Sequence, residues 1–389
     1  MQNLANKFEF STATRILFGA GTFKDLGIHV AEIGQRALVT YGVENEFFRL
    51  LIKQLENLGI HQVAFAVTTE PTISSVKAGT QLARDEACDV VVSLGGGSAM
   101  DTGKAIAILL ENPGEIEDYL EVIGKGKKFN NPGVPMVAIP TTAGTGAEVT
   151  RNAVLGVPEN RIKVSLRSPW MLPRLALVDP ELTYDLPPEV TASTGLDALT
   201  QLIEPFVSVA ANPLTDALCR EGMQRAARSL RRVFSNGRDA QAREDMSLAS
   251  LFGGLALANA RLGAVHGFAG VLGGRYPGPH GAICAKLLPL VMETNLQALH
   301  ERLPESEYLY RYQEVARILT NSEKATLQDG LHWVKEVCLD LQIPTLSVYG
   351  LRREDIPSVV EMSARASSMK GNPILLTSQE MESILNEAL

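Results

Sequence analysis

Asp197 and Gln201 stand four residues apart in the helix-like stretch Gly195-Leu196-Asp197-Ala198-Leu199-Thr200-Gln201. On a helix that spacing places both side chains on one face. Two histidines follow, in Gly263-Ala264-Val265-His266-Gly267 and Pro277-Gly278-Pro279-His280-Gly281. Two imidazoles and a carboxylate can hold a divalent metal and leave positions open for a reacting molecule. A plainer account stands beside it. A lone histidine more often serves packing, and Asp197 can serve as a helix cap. Spacing alone leaves both readings open.

A second candidate site lies earlier. Val90-Val91-Val92-Ser93-Leu94 is an apolar run that ends in Gly95, Gly96 and Gly97, followed by Ser98-Ala99-Met100-Asp101. The run reads as a strand buried on both faces. Glycines let the backbone turn sharply and approach a ligand closely. Ser98 is expected to cap the following helix, with Asp101 three residues on completing a capping box. Free N–H groups and the positive dipole end then favour an anion, with phosphate the obvious candidate. The pattern is not GxGxxG, so an ordinary Rossmann site is not implied.

Pro140-Thr141-Thr142-Ala143-Gly144-Thr145-Gly146-Ala147-Glu148 directly follows another apolar run. In a doubly wound sheet, loops at the carboxyl ends of strands meet at the ligand crevice. The hydroxyls of Thr141, Thr142 and Thr145 suit phosphate or carboxamide recognition.

These sites need particular elements to hold them. Strands are predicted at Phe8–Phe10, Arg15–Gly19, Ala37–Tyr41, Val63–Val67, Val90–Leu94, Pro135–Pro140 and Leu175–Asp179, with helices between most of them. That alternation predicts a mainly parallel sheet with helices on both faces. After Asp179-Pro180 the pattern becomes helical to the end, with long helices expected at 189–209, 213–233, 240–261 and 308–319. The expected organisation is an α/β nucleotide-binding domain over 1–186 and an all-helical domain over 187–389 that carries metal and substrate. The active site is expected between the two.

The totals narrow the function classes. A chain of 389 residues exceeds one comfortable core. With 45% hydrophobic and 21% charged residues it reads as a soluble globular protein. A formal charge of −8 without a basic block argues against nucleic acid and anionic membranes. Met1 to Lys7 does not read as a signal peptide, and no apolar stretch is long enough to span a bilayer. Cys88, Cys219, Cys284 and Cys338 form no CxxC and read as reduced thiols of a cytoplasmic protein.

The motifs together carry a resemblance. Phe18-Gly19-Ala20-Gly21, Gly95-Gly96-Gly97-Ser98 with Asp101 and Lys104, Pro140 to Gly146, Val178-Asp179-Pro180, Gly195 to Thr200, His266, Pro279-His280-Gly281 and Leu288-Pro289 run through nearly the whole chain. The chain resembles the iron-containing (group III) alcohol dehydrogenases, whose fold is related to dehydroquinate synthase. The resemblance implies hydride transfer between NAD(P) and a small alcohol or aldehyde. It implies Fe²⁺ or Zn²⁺ on Asp197, His266 and His280, and a homo-oligomer, with a dimer favoured. Lys163 matches a family lysine near cofactor and substrate, which implies a catalytic and cofactor-binding role for it; a surface lysine is an equally fair reading.

Two departures matter. Gln201 stands where the family usually has a histidine ligand, and is expected as a weak or water-mediated fourth ligand. Gly270 stands where a histidine suspected in proton transfer is common. Cofactor choice turns on Gly42, where NAD-preferring members often carry an aspartate for the ribose; Glu44 nearby can reverse that argument. The rivals are a metal-free NAD(P)H reductase of a polar carbonyl, a lyase of dehydroquinate synthase type, and a nucleotide-binding protein that has lost catalysis.

Overall fold

The computed structural model describes residues 7–121 and 123–389, so Met1 to Asn6, read above as part of a non-signal N-terminus, lie outside the described residues. The chain divides into two compact units. One holds Ser11–Thr142 and Gly146–Tyr184; the other holds Asp185–Leu389, Ala143–Thr145 and, among the described residues at the N-terminal side, those up to Phe10.

The first unit contains strands β1 (Arg15–Phe18), β2 (Arg36–Tyr41), β3 (His61–Ala66), β4 (Val90–Gly95), β5 (Met136–Pro140), β6 (Asn152–Val157), β7 (Ile162–Arg167) and β8 (Leu175–Val178). Its α-helices are α1 (Leu26–Ala31), α2 (Glu46–Asn57), α3 (Ile73–Asp85), α4 (Gly97–Leu110) and α5 (Ile116–Tyr119). Six strands form one parallel sheet in the order β1-β8-β5-β4-β2-β3. Both faces are covered. Val91 shares a core with Leu38, Ile106 and Ala138, whereas Val90 and Val92 share another with Val39, Leu51 and Ile139. This period-two split of a mostly apolar run is what a doubly covered parallel sheet requires. The strand order reverses between β2 and β4. Their carboxyl ends therefore mark the switch point where such sheets bind ligands.

Three local expectations are corrected. Phe8–Phe10 is not a strand, and β1 instead pairs in parallel with β8, so no early hairpin forms. The antiparallel hairpin β6–β7 was not expected. Its signal was the alternation of buried Ala153, Leu155 and Val157 against Val164 and Leu166, around a turn at Pro158–Asn160. Ser98 does not cap α4, and no capping box forms with Asp101. The cap is Gly96, because the chain reaches helical geometry at Gly97, which leaves Ser98 and Asp101 inside the helix.

The second unit contains α6 (Pro188–Phe206), α7 (Pro213–Ser235), α8 (Ala240–Asn259), α9 (Ala264–Arg275), α10 (His280–Arg302), α11 (Glu307–Thr320), α12 (Leu327–Asp340), α13 (Ile356–Ala364) and α14 (Ser378–Ala388). Among its described residues there is no strand. Asn212 caps α7 by accepting from Thr215 N, with Pro213 at the first helical position. The helices share one apolar core that includes Leu196, Leu199, Phe206, Phe268 and Leu288. No single helix among the described residues is long and apolar enough to cross a membrane.

Candidate metal centre and dinucleotide site

Helix α6 presents Asp197, Gln201 and Glu204 at positions i, i+4 and i+7, and all three are buried. Glu204 organises the next helix. Its Oε1 accepts from Val265 N at 2.7 Å at the start of α9, and its Oε2 lies 2.6 Å from His266 Nδ1. A carboxylate can only accept, so Nδ1 carries a proton and Nε2 is the nitrogen turned toward Asp197. That Nε2 lies 3.5 Å from Asp197 Oδ1.

His280 opens α10 directly after Pro279. The approach of α10 to α6 depends on Gly281, where a Cβ would sit 2.3 Å from Ser193 O. It brings His280 Nε2 to 3.9 Å from Asp197 Oδ1. One helical turn on, Cys284 Sγ lies 3.7 Å from His280 Nε2 and 3.9 Å from His266 Nε2. The donor atoms of Asp197, His266, His280 and Cys284 all lie within 4.8 Å of one another. Sequence reading missed Cys284 and Glu204. The available signals were four-residue spacing after His280 and three-residue spacing after Gln201.

Gln201 is placed differently from its expected role. Its Nε2 donates to Asp197 Oδ2 at 3.1 Å and to Gly144 O at 3.2 Å. Both partners are acceptors, which fixes the amide's orientation. The atom it turns toward Asp197 is therefore a donor without a lone pair for a metal.

At the other candidate site, Gly42 N donates to Leu94 O at 3.2 Å, and Thr141 N donates to Gly95 O at 2.9 Å. These bonds gather Gly42, Gly95 to Gly97, Ser98 and Thr141 around the carboxyl ends of β2, β4 and β5. A Cβ on Gly95 would lie 2.8 Å from that of Ala99, and one on Gly96 would lie 3.3 Å from Thr142 Oγ1. At Gly95 the close approach of Ala99 leaves no room for a side chain. Thr145 belongs to the short segment grouped with the helical unit. Asp101 is committed internally: Oδ2 accepts from Val154 N at 2.9 Å and Oδ1 pairs with Lys104 at 3.1 Å.

Comparison with known proteins decides the family. Residues 13–180 match the iron-containing alcohol dehydrogenase model, and residues 191–389 match the C-terminal model of the Fe-containing alcohol dehydrogenase family. The chain belongs to the iron-containing alcohol dehydrogenase family. It is 34% identical over 382 residues to alcohol dehydrogenase 4 of Schizosaccharomyces pombe, across 96% of this chain and 87% of that one. It is 34% identical over 362 residues to 1,3-propanediol dehydrogenase of Citrobacter freundii, across 92% and 90%. The crystal structure of a 1,3-propanediol oxidoreductase superposes with a TM-score of 0.91 at 32% identity, covering 98% of this chain and 100% of that one. The protein is thus a metal-dependent oxidoreductase of the alcohol dehydrogenase type that uses NAD(P).

The buried cluster of this alcohol dehydrogenase fits a divalent cation. Asp197 Oδ1 is buried and has no hydrogen-bond partner, although two imidazoles and a thiol face it. Burial pushes the Asp197 carboxyl up, but the neighbouring His266 and His280 imidazoles outweigh it and hold it below the usual range. Burial opposes the His266 cation, yet Cys284 and Glu204 carry its pKa well above the ordinary value. His280 is raised chiefly by Cys284. The cluster thus favours concentrated positive charge between its anionic members.

Two further family positions are clear. Lys163 Nζ pairs with Glu70 at 2.9 Å on the β7 strand of the dehydrogenase. Gly270 lies one turn after His266 on α9, is exposed, and has open space where a Cβ would go.

Proposed function

We propose that this dehydrogenase interconverts a small alcohol and its aldehyde, with Asp197, His266 and His280 holding the divalent metal. The observation that carries the reading is the convergence of these three side chains around an orphaned, buried Asp197 Oδ1. When bound, the metal supplies Lewis acidity that polarises a carbonyl in reduction and favours loss of the hydroxyl proton in oxidation. Glu204 keeps the His266 Nδ1 proton and so aims Nε2 at the site. Gln201 orients Asp197 through Oδ2 and leaves Oδ1 available.

The glycine turn Gly95-Gly96-Gly97, with Ser98 and the free N–H groups at the start of α4, receives the dinucleotide's pyrophosphate. Thr141, Thr142 and Thr145 supply hydroxyls to the cofactor. Asp101 supports this turn from beneath by tying α4 to β6. Lys163, restrained by Glu70, serves as a cation on the cofactor side rather than as a proton donor. Without a side chain at Gly270, the substrate proton passes to solvent there. Gly42 lacks a carboxylate against a 2′-phosphate, which supports acceptance of NADP as well as NAD. The homodimer expected from the resemblance and the cytoplasmic location supported by four free thiols complete the proposal.

The test is steady-state turnover with a panel of short aldehydes and both reduced cofactors, before and after chelation. Aldehyde reduction that chelation abolishes and metal restores is expected. Full activity after exhaustive chelation would favour the metal-free reductase, and no turnover of any aldehyde would favour a binding protein.

A further inference from the structure

We propose that Cys284, as a thiolate, is the fourth protein donor of this metal site, in the position sequence reading assigned to Gln201. The inference rests on the metal reading above.

Distance comes first. Bonds of about 2.0–2.3 Å to nitrogen, oxygen and sulfur place tetrahedrally arranged donors about 3.3–3.6 Å apart. The separations here are 3.5 Å for His266 Nε2 to Asp197 Oδ1, 3.9 Å for His280 Nε2 to Asp197 Oδ1, 3.7 Å for Sγ to His280 Nε2 and 3.9 Å for Sγ to His266 Nε2. These four separations need to close by only a few tenths of an ångström, and all four donors lie within 4.8 Å of one another. Gln201 turns its NH₂ group to Asp197 and Gly144 instead.

Charge comes second. Asp197 and Cys284 are both buried. A carboxylate and a thiolate neutralise a divalent cation, and a neutral buried set avoids the cost of an unpaired interior charge. An aspartate with neutral nitrogen and amide donors leaves one positive charge over. Elements of the fold come third. Cys284 is one turn after His280 on α10, so the approach that Gly281 permits delivers both donors together. A thiolate also shifts preference toward soft-tolerant ions such as Zn²⁺ and away from Mg²⁺ or Mn²⁺.

The experiment uses the full chain, stripped with chelator and reloaded with Zn²⁺ or with Co²⁺, without substrate. Zinc-edge X-ray absorption on the wild type is expected to show one sulfur scatterer at about 2.3 Å. The Co²⁺ form is expected to show a near-ultraviolet thiolate-to-metal charge-transfer band. Cys284→Ser is expected to lose that band while keeping visible Co²⁺ absorption, and to bind Zn²⁺ at least tenfold more weakly. Zinc bound with nitrogen and oxygen scatterers alone would overturn the role of Cys284 and leave the metal reading standing. A wild type that binds neither ion would overturn both. The absorption measurement needs no variant, so it decides even if Cys284→Ser does not fold.

Discussion

Gly42 and Gly270 each lack a side chain where relatives often carry a functional one, and at both a Cβ would meet nothing within 4 Å. Each can therefore be filled without a packing penalty. Gly42→Asp places a carboxylate at the end of β2, where it accepts from a ribose hydroxyl and repels a 2′-phosphate. The ratio of kcat/KM for NADPH over NADH is expected to fall about tenfold or more, or ~1.4 kcal/mol. An unchanged ratio in the folded variant would remove Gly42 from the ribose site. Gly270→His shares the face of α9 that carries His266. Thermal stability should be unaltered, and the pH profile of kcat/KM should gain a limb in the imidazole range near about 6.5. A profile identical to the wild type would show that no proton passes this position.

Helix α4 begins at the proposed dinucleotide turn, and its seat on the sheet is tight. A Cβ on Gly103 would lie 2.0 Å from Ser93 Oγ and 3.2 Å from Thr40 Oγ1. Those two hydroxyls are themselves hydrogen-bonded at 2.7 Å within the buried sheet. From its far side α4 is tied down by Lys104, whose buried ammonium donates to Ala147 O, Thr150 Oγ1 and Asn152 O. Gly103→Ala must push the helix away or break the Thr40–Ser93 pair. Overpacking of this kind costs about 1–3 kcal/mol, read as a lower urea midpoint. Because Gly97 and Ser98 begin the same helix, NAD(P)H titration by fluorescence should also show weaker binding. Full stability and full affinity together would mean that α4 is not held where the contacts place it.

Two buried charges bear on the stability of the whole molecule. In the helical unit Arg311 of α11 holds Asp216 of α7 at 2.8 Å and 3.0 Å and the Phe206 carbonyl of α6. Arg311→Met strands the Asp216 carboxylate, and loss of one partner of a buried pair costs about 3–5 kcal/mol. Urea unfolding should register it, and a change below about 1 kcal/mol would show the pair to be solvated. In the sheet-bearing unit burial pushes Glu148 from its ordinary 4.5 to about 7, against the opposing charge of Lys104. The folded protein therefore prefers the protonated form. Its stabilising contribution is complete below about 4.5 and is lost as pH rises through about 7. Glu148→Gln should flatten the fall in urea midpoint across that window; an equally steep fall would assign it to other groups.

The sequence by itself determined the order and type of the main elements, because that information is local. The mostly apolar run Val90 to Leu94 read as a strand covered on both faces. The helical pattern expected over 213–233 is α7, Pro213–Ser235. Asp197, His266 and His280 were legible as one ligand set through a resemblance, since nothing in their spacing brings residues 197 and 266 together. Tertiary structure decided the rest. Ser98 sits inside α4 rather than at its cap because β4 runs on to Gly95, and that end point is set by pairing with β5. The β6–β7 hairpin was legible in the alternation around Pro158–Asn160, a local signal that sequence reading passed over. Gln201 looked like a substituted ligand, but the Gly144 carbonyl, fifty-seven residues away, helps turn its amide nitrogen inward. Cys284 looked like one of four inert thiols until the α6–α10 approach at Gly281 set its sulfur beside two imidazoles. Ligand identity depends on which atoms meet, and helix packing rather than chain order brings them together.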